Sequence, residues 1–284
     1  MRNTFFHIHV PKAAGWMFWD ILKQNFGNKL QADYPSPSYE YFPPEGIEWS
    51  LRQYRYTCYT SHAIRLSSIP VLSDHRMVAT SFTRDPVEKF ISYYFYCRMR
   101  PETGPWHPSK TLNLGQFLDA MLNDPEFSRL PLDVSQEAFI RGSQPSQSLE
   151  SLVQQDFGAY HLFPTERFDD ALICLEKLYP EDFRDCSYGA RSNKSKKDQE
   201  VTPVDIGKIE QLPWIAKDRA LHAFAHSQID VLISKIFPDE VNLSDAREDF
   251  AERCHRRQEV KAQQHSKQSL SQRLRSAARI IIKG

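Results

Sequence analysis

Two stretches of the sequence combine a cation, a tight turn and a helix start in a way that suits anion binding. The first runs Phe5-Phe6-His7-Ile8-His9-Val10-Pro11-Lys12-Ala13-Ala14-Gly15. The second runs Ala79-Thr80-Ser81-Phe82-Thr83-Arg84-Asp85-Pro86-Val87-Glu88-Lys89-Phe90-Ile91-Ser92-Tyr93-Tyr94. Each reads as an apolar strand, a polar turn and a helix. At such a junction the first helical N–H groups lack intrahelical acceptors, and the helix dipole points its positive end at the turn. A Lys or Arg there adds a full charge. Two junctions of this kind imply a ligand with two separate anionic ends.

The elements that must position these residues follow from periodicity and turn chemistry. Strands are expected at Thr4–Val10, Tyr54–Thr60, Met77–Phe82 and Tyr160–Pro164. Helices are expected at Ala14–Phe26, from Pro86 to about Cys97 with Asp85 as N-cap, and at Leu114–Asn123, Arg167–Leu178, Val204–Leu212, Trp214–Phe237 and Ser244–Lys267. Gln31–Trp49, Arg98–Leu112, Leu130–Leu149 and Gly189–Pro203 read as loops. Alternating strands and helices imply an α/β fold, a parallel central sheet flanked by helices. Lys12, His62 and Arg84 each follow a candidate strand. A parallel sheet would therefore bring them to one edge, where such folds bind ligands.

At 284 residues the chain fits one large domain with an appendage. The 36 basic and 36 acidic residues balance, but not evenly. Residues 253–284 hold nine Lys/Arg and one acid, which leaves 27 basic and 35 acidic residues before them. The expected organisation is an α/β domain at 1–243 and a charged, basic helical tail at 244–284. Five cysteines, odd in number and without metal-ligand or redox spacing, suggest reduced thiols. The first strand candidate starts near Met1 with no charged and apolar leader ahead of it, and no segment is long enough to span a membrane. A cytoplasmic location is expected.

The segment from His9 to Gly15 is similar to the "HIPKTGGTS" loop of carbohydrate-type sulfotransferases, the heparan-sulfate 2-O-sulfotransferases among them. Arg84 to Tyr94 resembles their "RDPxxRxxSxY" segment, with Lys89 at the usual Arg. Weaker likeness extends through Tyr59-Thr60-Ser61-His62, Phe163 to Phe168 and Asn193-Lys194-Ser195. The resemblance implies a P-loop NTPase-like sulfotransferase fold and transfer of a sulfuryl group from 3′-phosphoadenosine 5′-phosphosulfate (PAPS) to a hydroxyl. The implied acceptor is a carbohydrate or glycoconjugate. No metal is required by that reading, and no nucleic acid is expected as partner. Lys12 would stabilise charge building on the bridging oxygen. Arg84 would fork onto the 3′-phosphate with the Ser92 hydroxyl beside it. Lys12, Ala13, Ala14, Gly15, Trp16 and Met17 would cradle the 5′-phosphosulfate, Gly15 by allowing close backbone approach. Asn193, Lys194 and Ser195 would close over the nucleotide. His62 would be the general base, since an imidazole near pKa 6.5 suits removal of a hydroxyl proton.

Where the family has Thr-Gly-Gly-Thr-Ser, this chain has Ala13, Ala14, Gly15, Trp16 and Met17. Three hydroxyls are absent, and phosphate contact falls to backbone N–H groups. One alternative is therefore a catalytically impaired relative that binds nucleotide or glycan. Another is a P-loop kinase-like phosphotransferase, although the chain lacks Gly-x-x-x-x-Gly-Lys-Ser/Thr and Ala13 cannot ligate magnesium. The plain readings are a surface lysine at 12, an Arg84 paired with an acid near its helix start, and a structural His62. His9 reads as structural, and His7 as core-facing or without an assigned role. Phe90, Tyr93, Tyr94 and Tyr96 read as core, with adenine stacking the alternative for one of them. The tail reads as a solvated helix; weak contact with an anionic surface, through Leu270, Leu274, Ala277, Ala278 and Ile281 and their basic neighbours, is the functional alternative.

Overall fold

The computed structural model describes residues 2–32, 44–99, 108–123, 135–142, 159–189 and 198–283, with side chains up to 263. Five strands are present among them: β1 (Arg2–Ile8), β2 (Leu30–Ala32), β3 (Cys58–Ser61), β4 (His75–Thr83) and β5 (Ala159–Pro164). They pair in the order β2-β3-β1-β4-β5, and every pairing is parallel. The expected α/β architecture is therefore present. β1 and β4 are buried along almost their whole length, because helices cover both faces. Phe82 packs on Phe18 on one face, with ring centroids 5.0 Å apart. Its neighbour Thr83 points the other way and meets His222 at 3.0 Å.

The helices are α1 (Gly15–Phe26), α2 (Pro44–Tyr54), α3 (Pro86–Met99), α4 (Leu114–Asn123), α5 (Gln136–Arg141), α6 (Phe168–Leu178), α7 (Pro203–Glu210), α8 (Ile215–Ile236) and α9 (Glu240–Lys283). Local signals explain several ends. Asp85 caps α3 by accepting the Glu88 N–H at 2.9 Å. Thr202 and Asp205 form a reciprocal capping box around Pro203 at the start of α7. α4 buries Leu114, Phe117, Leu118 and Met121, the spacing of one helical face. These pack with α3 and α7 into a second, all-helical core beside the sheet.

Three expectations change. The stretch read as a Gln31–Trp49 loop contains most of β2 and the start of α2. The strand read as Tyr54–Thr60 begins only at Cys58, since Tyr54 ends α2. Ile47 and Leu51 form the buried stripe of α2, and Arg55 leaves the helix at φ 53°. The Leu130–Leu149 stretch contains α5.

The last helix starts at Glu240 rather than Ser244 and runs on to Lys283. Phe250 and Cys254 enter the main core. Arg247 forks onto Asp170 at 2.8 and 2.9 Å. Arg253 forks onto Glu176 at 2.9 and 2.8 Å and reaches Asp185 at 2.8 Å. The helix is docked through residue 257 rather than merely solvated. Side chains beyond 263, including the apolar set from Leu270 to Ile281, lie outside the described residues. All five cysteines are free and buried. Among the described residues no helix is long and apolar enough to cross a membrane.

Candidate anion-binding site

Strand register sets the site. Ile8 aligns with Ser61 of β3 on one side and with Ser81 of β4 on the other. Lys12, His62 and Arg84 therefore leave the sheet at one edge, four, one and three residues beyond that line. The chain leaves β1 towards β2 and leaves β4 towards β5. Connections that diverge from adjacent strands leave a crevice at their carboxyl ends. Lys12 and Arg84 stand on its two walls.

The β1 turn is strained. Lys12 has φ 65° and Ala14 φ 57°, both left-handed for residues with a Cβ. Positive φ at alternate residues turns successive N–H groups towards one concave side, the geometry of an anion nest. Ala13 is buried and Met17 packs against the core, so neither offers a polar side chain. Trp16 is 51 % exposed and meets His9 and Trp19 edge-on. A Cβ at Gly15 would stand 1.8 Å from the His9 ring. The glycine is thus required by His9 packing, a need separate from the ligand approach expected of it.

α3 ties the two cations together. Lys12 Nζ lies 4.6 Å from the centre of the Tyr96 ring. Arg84 Nη2 donates to Glu88 Oε2 at 3.1 Å, the plain reading of Arg84. Glu88, Ser92 and Tyr96 follow at four-residue intervals, so they share one stripe of α3. Ser92 stands midway between the partners of Arg84 and Lys12. The two partners are roughly 12 Å apart along the helix at 1.5 Å per residue. The Arg84 side chain is 32 % exposed and Glu88 50 %. Such a pair is worth about 0–1 kcal/mol, little hindrance to exchange for a phosphate.

His62 is half-buried. Its Nδ1 lies 2.7 Å from the His9 carbonyl. A carbonyl only accepts, so Nδ1 carries the proton and Nε2 is the basic nitrogen, the tautomer a general base needs. The ring stacks on His9 with centroids 4.1 Å apart, and His9 stacks on His7 at 5.3 Å. His7 bonds Thr60 Oγ1 at 2.8 Å. Burial, helped by His62, pulls His7 down to about 3 and His9 well below the usual imidazole range. Both are neutral packing beneath the turn, as their positions suggested. Phe90, Tyr93 and Tyr94 belong to the helical core, with half-buried Tyr96 at its border.

No protein-family model matches the chain, and no curated protein matches it. A solved structure described as mouse sulfotransferase SULT7A1 complexed with PAP is similar at 12 % identity and a TM-score of 0.32, with 89 % of this chain and 88 % of that chain covered. Likeness at this level assigns neither fold family nor function.

Asn193, Lys194 and Ser195 lie outside the described residues. Several site-building residues carried no sequence signal. Gln136 on α5 clamps the Arg84 backbone, accepting its N–H at 2.9 Å and donating to its C=O at 2.8 Å. Asp218 on α8 caps α5, accepting from the Ser135 hydroxyl and the Gln136 and Glu137 N–H groups at 2.8–3.0 Å. Arg65, almost fully buried, donates to the His62 and Ile64 carbonyls. A cavity of about 60 Å³ between α2 and β3 is lined by Tyr59, Thr60 and Ser61, next to His62. The larger cavity, about 360 Å³, follows β5 and α8 and includes no residue of either cation turn.

Proposed function

We propose that this protein is a PAPS-dependent sulfotransferase that moves the sulfuryl group to a hydroxyl of a carbohydrate or glycoconjugate. The observation carrying this reading is the pair of cationic strand–turn–helix junctions on adjacent strands β1 and β4. They face one crevice and are spanned by one stripe of α3. A donor with a phosphosulfate at one end and a 3′-phosphate at the other matches two such anion sites. In this reading Lys12 and the N–H groups of the β1 turn stabilise the departing phosphate oxygen. Arg84 and Ser92 hold the 3′-phosphate. His62 Nε2 takes the acceptor proton as the new S–O bond forms. Ala13, Trp16 and Met17 stand where the family has three hydroxyl side chains. That supports a second reading, a nucleotide-binding relative without turnover.

Thermal stability with PAP, with ATP plus magnesium and with neither separates the readings. A ligand that binds only the folded chain stabilises it by about 2.7 kcal/mol at 100 times its dissociation constant. The expected result is a PAP-specific rise in midpoint that disappears in Arg84→Ala. A rise with PAP but no sulfate transfer to any of a panel of glycans would favour the second reading. No response to PAP at saturating concentration would sink both.

A further inference from the structure

A second cluster of chemically capable side chains lies behind the Arg84 turn. His222 and His226 stand one turn apart on α8, and Glu166 sits in the short turn after β5. Ligand-capable atoms of the three all lie within 4.8 Å of one another. His222 Nε2 is 3.4 Å from Glu166 Oε2. The two imidazoles meet edge-on with centroids 4.8 Å apart. We propose that Glu166, His222 and His226 form a three-ligand site for a divalent first-row metal ion, zinc in particular.

Two observations carry the assignment. First, the donor set of two imidazoles and one carboxylate suits zinc, which takes such sets with one position left open. Metal–ligand bonds of about 2.0–2.1 Å put tetrahedral ligand atoms roughly 3.3 Å apart. The separation between His222 and Glu166 already matches. Second, two of the ligands are held from behind. Thr83 Oγ1 engages His222 Nδ1 at 3.0 Å and leaves Nε2 facing the carboxylate. The Asp85 N–H donates to Glu166 Oε1 at 3.1 Å and leaves Oε2 facing the imidazole. Supporting bonds of this kind orient metal ligands.

Thr83 and Asp85 flank Arg84 in the chain. A dication held here adds charge beside the β4 turn, where it would favour an anionic ligand. The site rests on its own geometry and stands whether or not the donor is PAPS.

Tag-free full-length protein, stripped with chelator, is titrated with Co²⁺ and followed by its visible d–d absorption, then with Zn²⁺ as competitor. One equivalent of Co²⁺ per chain, displaced by Zn²⁺, is expected. His226→Ala and Glu166→Gln are the informative variants, since both side chains are partly open to solvent; their folding is checked by circular dichroism. Each is expected to weaken Co²⁺ binding by about tenfold or more. Absence of stoichiometric binding by the wild-type chain overturns the proposal, as does unchanged affinity in either variant. Thiolate charge-transfer bands would place the metal on cysteine and overturn it as well.

Discussion

Lys12 of the β1 turn is brought to Arg84 of the β4 turn by α3, which carries Ser92. Tyr96 receives Lys12, Glu88 receives Arg84, and Ser92 stands between. The ends of the two side chains are thus spaced before any ligand arrives. Beneath them, His9 fills the space over Gly15. Gly15→Ala would force its methyl into a buried ring held between His7 and His62. The expected cost is about 1–3 kcal/mol of stability, the usual range for overpacking, read from urea unfolding. An unchanged urea midpoint would show that the ring has room to move.

Elements matter because the Arg84 turn is held by parts distant in sequence. α5 delivers Gln136, which bonds both backbone groups of Arg84. α8 delivers Asp218, which caps α5, and almost fully buried Lys89 lies close enough to favour its ionised form. Gln136→Ala would leave the Arg84 N–H and C=O without these partners. Leaving buried groups unbonded costs about 1–3 kcal/mol. The variant is expected to fold with reduced stability and to bind PAP several-fold more weakly by calorimetry. Wild-type PAP affinity in a folded Gln136→Ala protein would remove this role.

Over the whole molecule, buried imidazoles set the acid response. Burial brings His7 to about 3 and, with Arg76 adding to it, His161 to about 4; His9 is lowered too. The unfolded chain takes up these protons below about pH 6.5, while the folded chain does not. Their contribution is complete above that pH and is lost as pH falls towards the folded values. Each adds up to about 1.4 kcal/mol per pH unit within its window. Asp218 works in the opposite direction: burial raises it to about 6, so its contribution fades as pH rises from the ordinary carboxylate range. Three groups outweigh one. Thermal midpoints are expected to fall from about pH 6.5 to about pH 4.5. A flat profile would contradict the buried, neutral histidine column. The docked half of α9 bears on the same scale. Deleting residues 253–284 removes Arg253, Arg257 and Cys254 from the body, so such a truncation tests stability as much as any tail function.

Much of this was legible in the sequence. Apolar runs ending in Lys12 and Arg84, the Asp85-Pro86 helix start and the period of α4 are local signals, and local sterics and hydrogen bonding decide them. The alternation of elements implied the parallel sheet, and the sheet placed the cations at one edge. Other features depend on neighbours in space. β2 is three half-exposed residues and has no periodicity to read. Gln136, Arg65 and Asp218 look like ordinary polar residues until burial makes their hydrogen bonds obligatory. The one-turn spacing of His222 and His226 stood in the sequence, but their partner Glu166 comes from a different element. The packing need for Gly15 could not be read, because the sequence cannot show which ring lies above it. Sequence determined which residues can bear charge and where the chain turns. Tertiary structure decided which of them meet, because contact depends on register and packing between segments far apart along the chain.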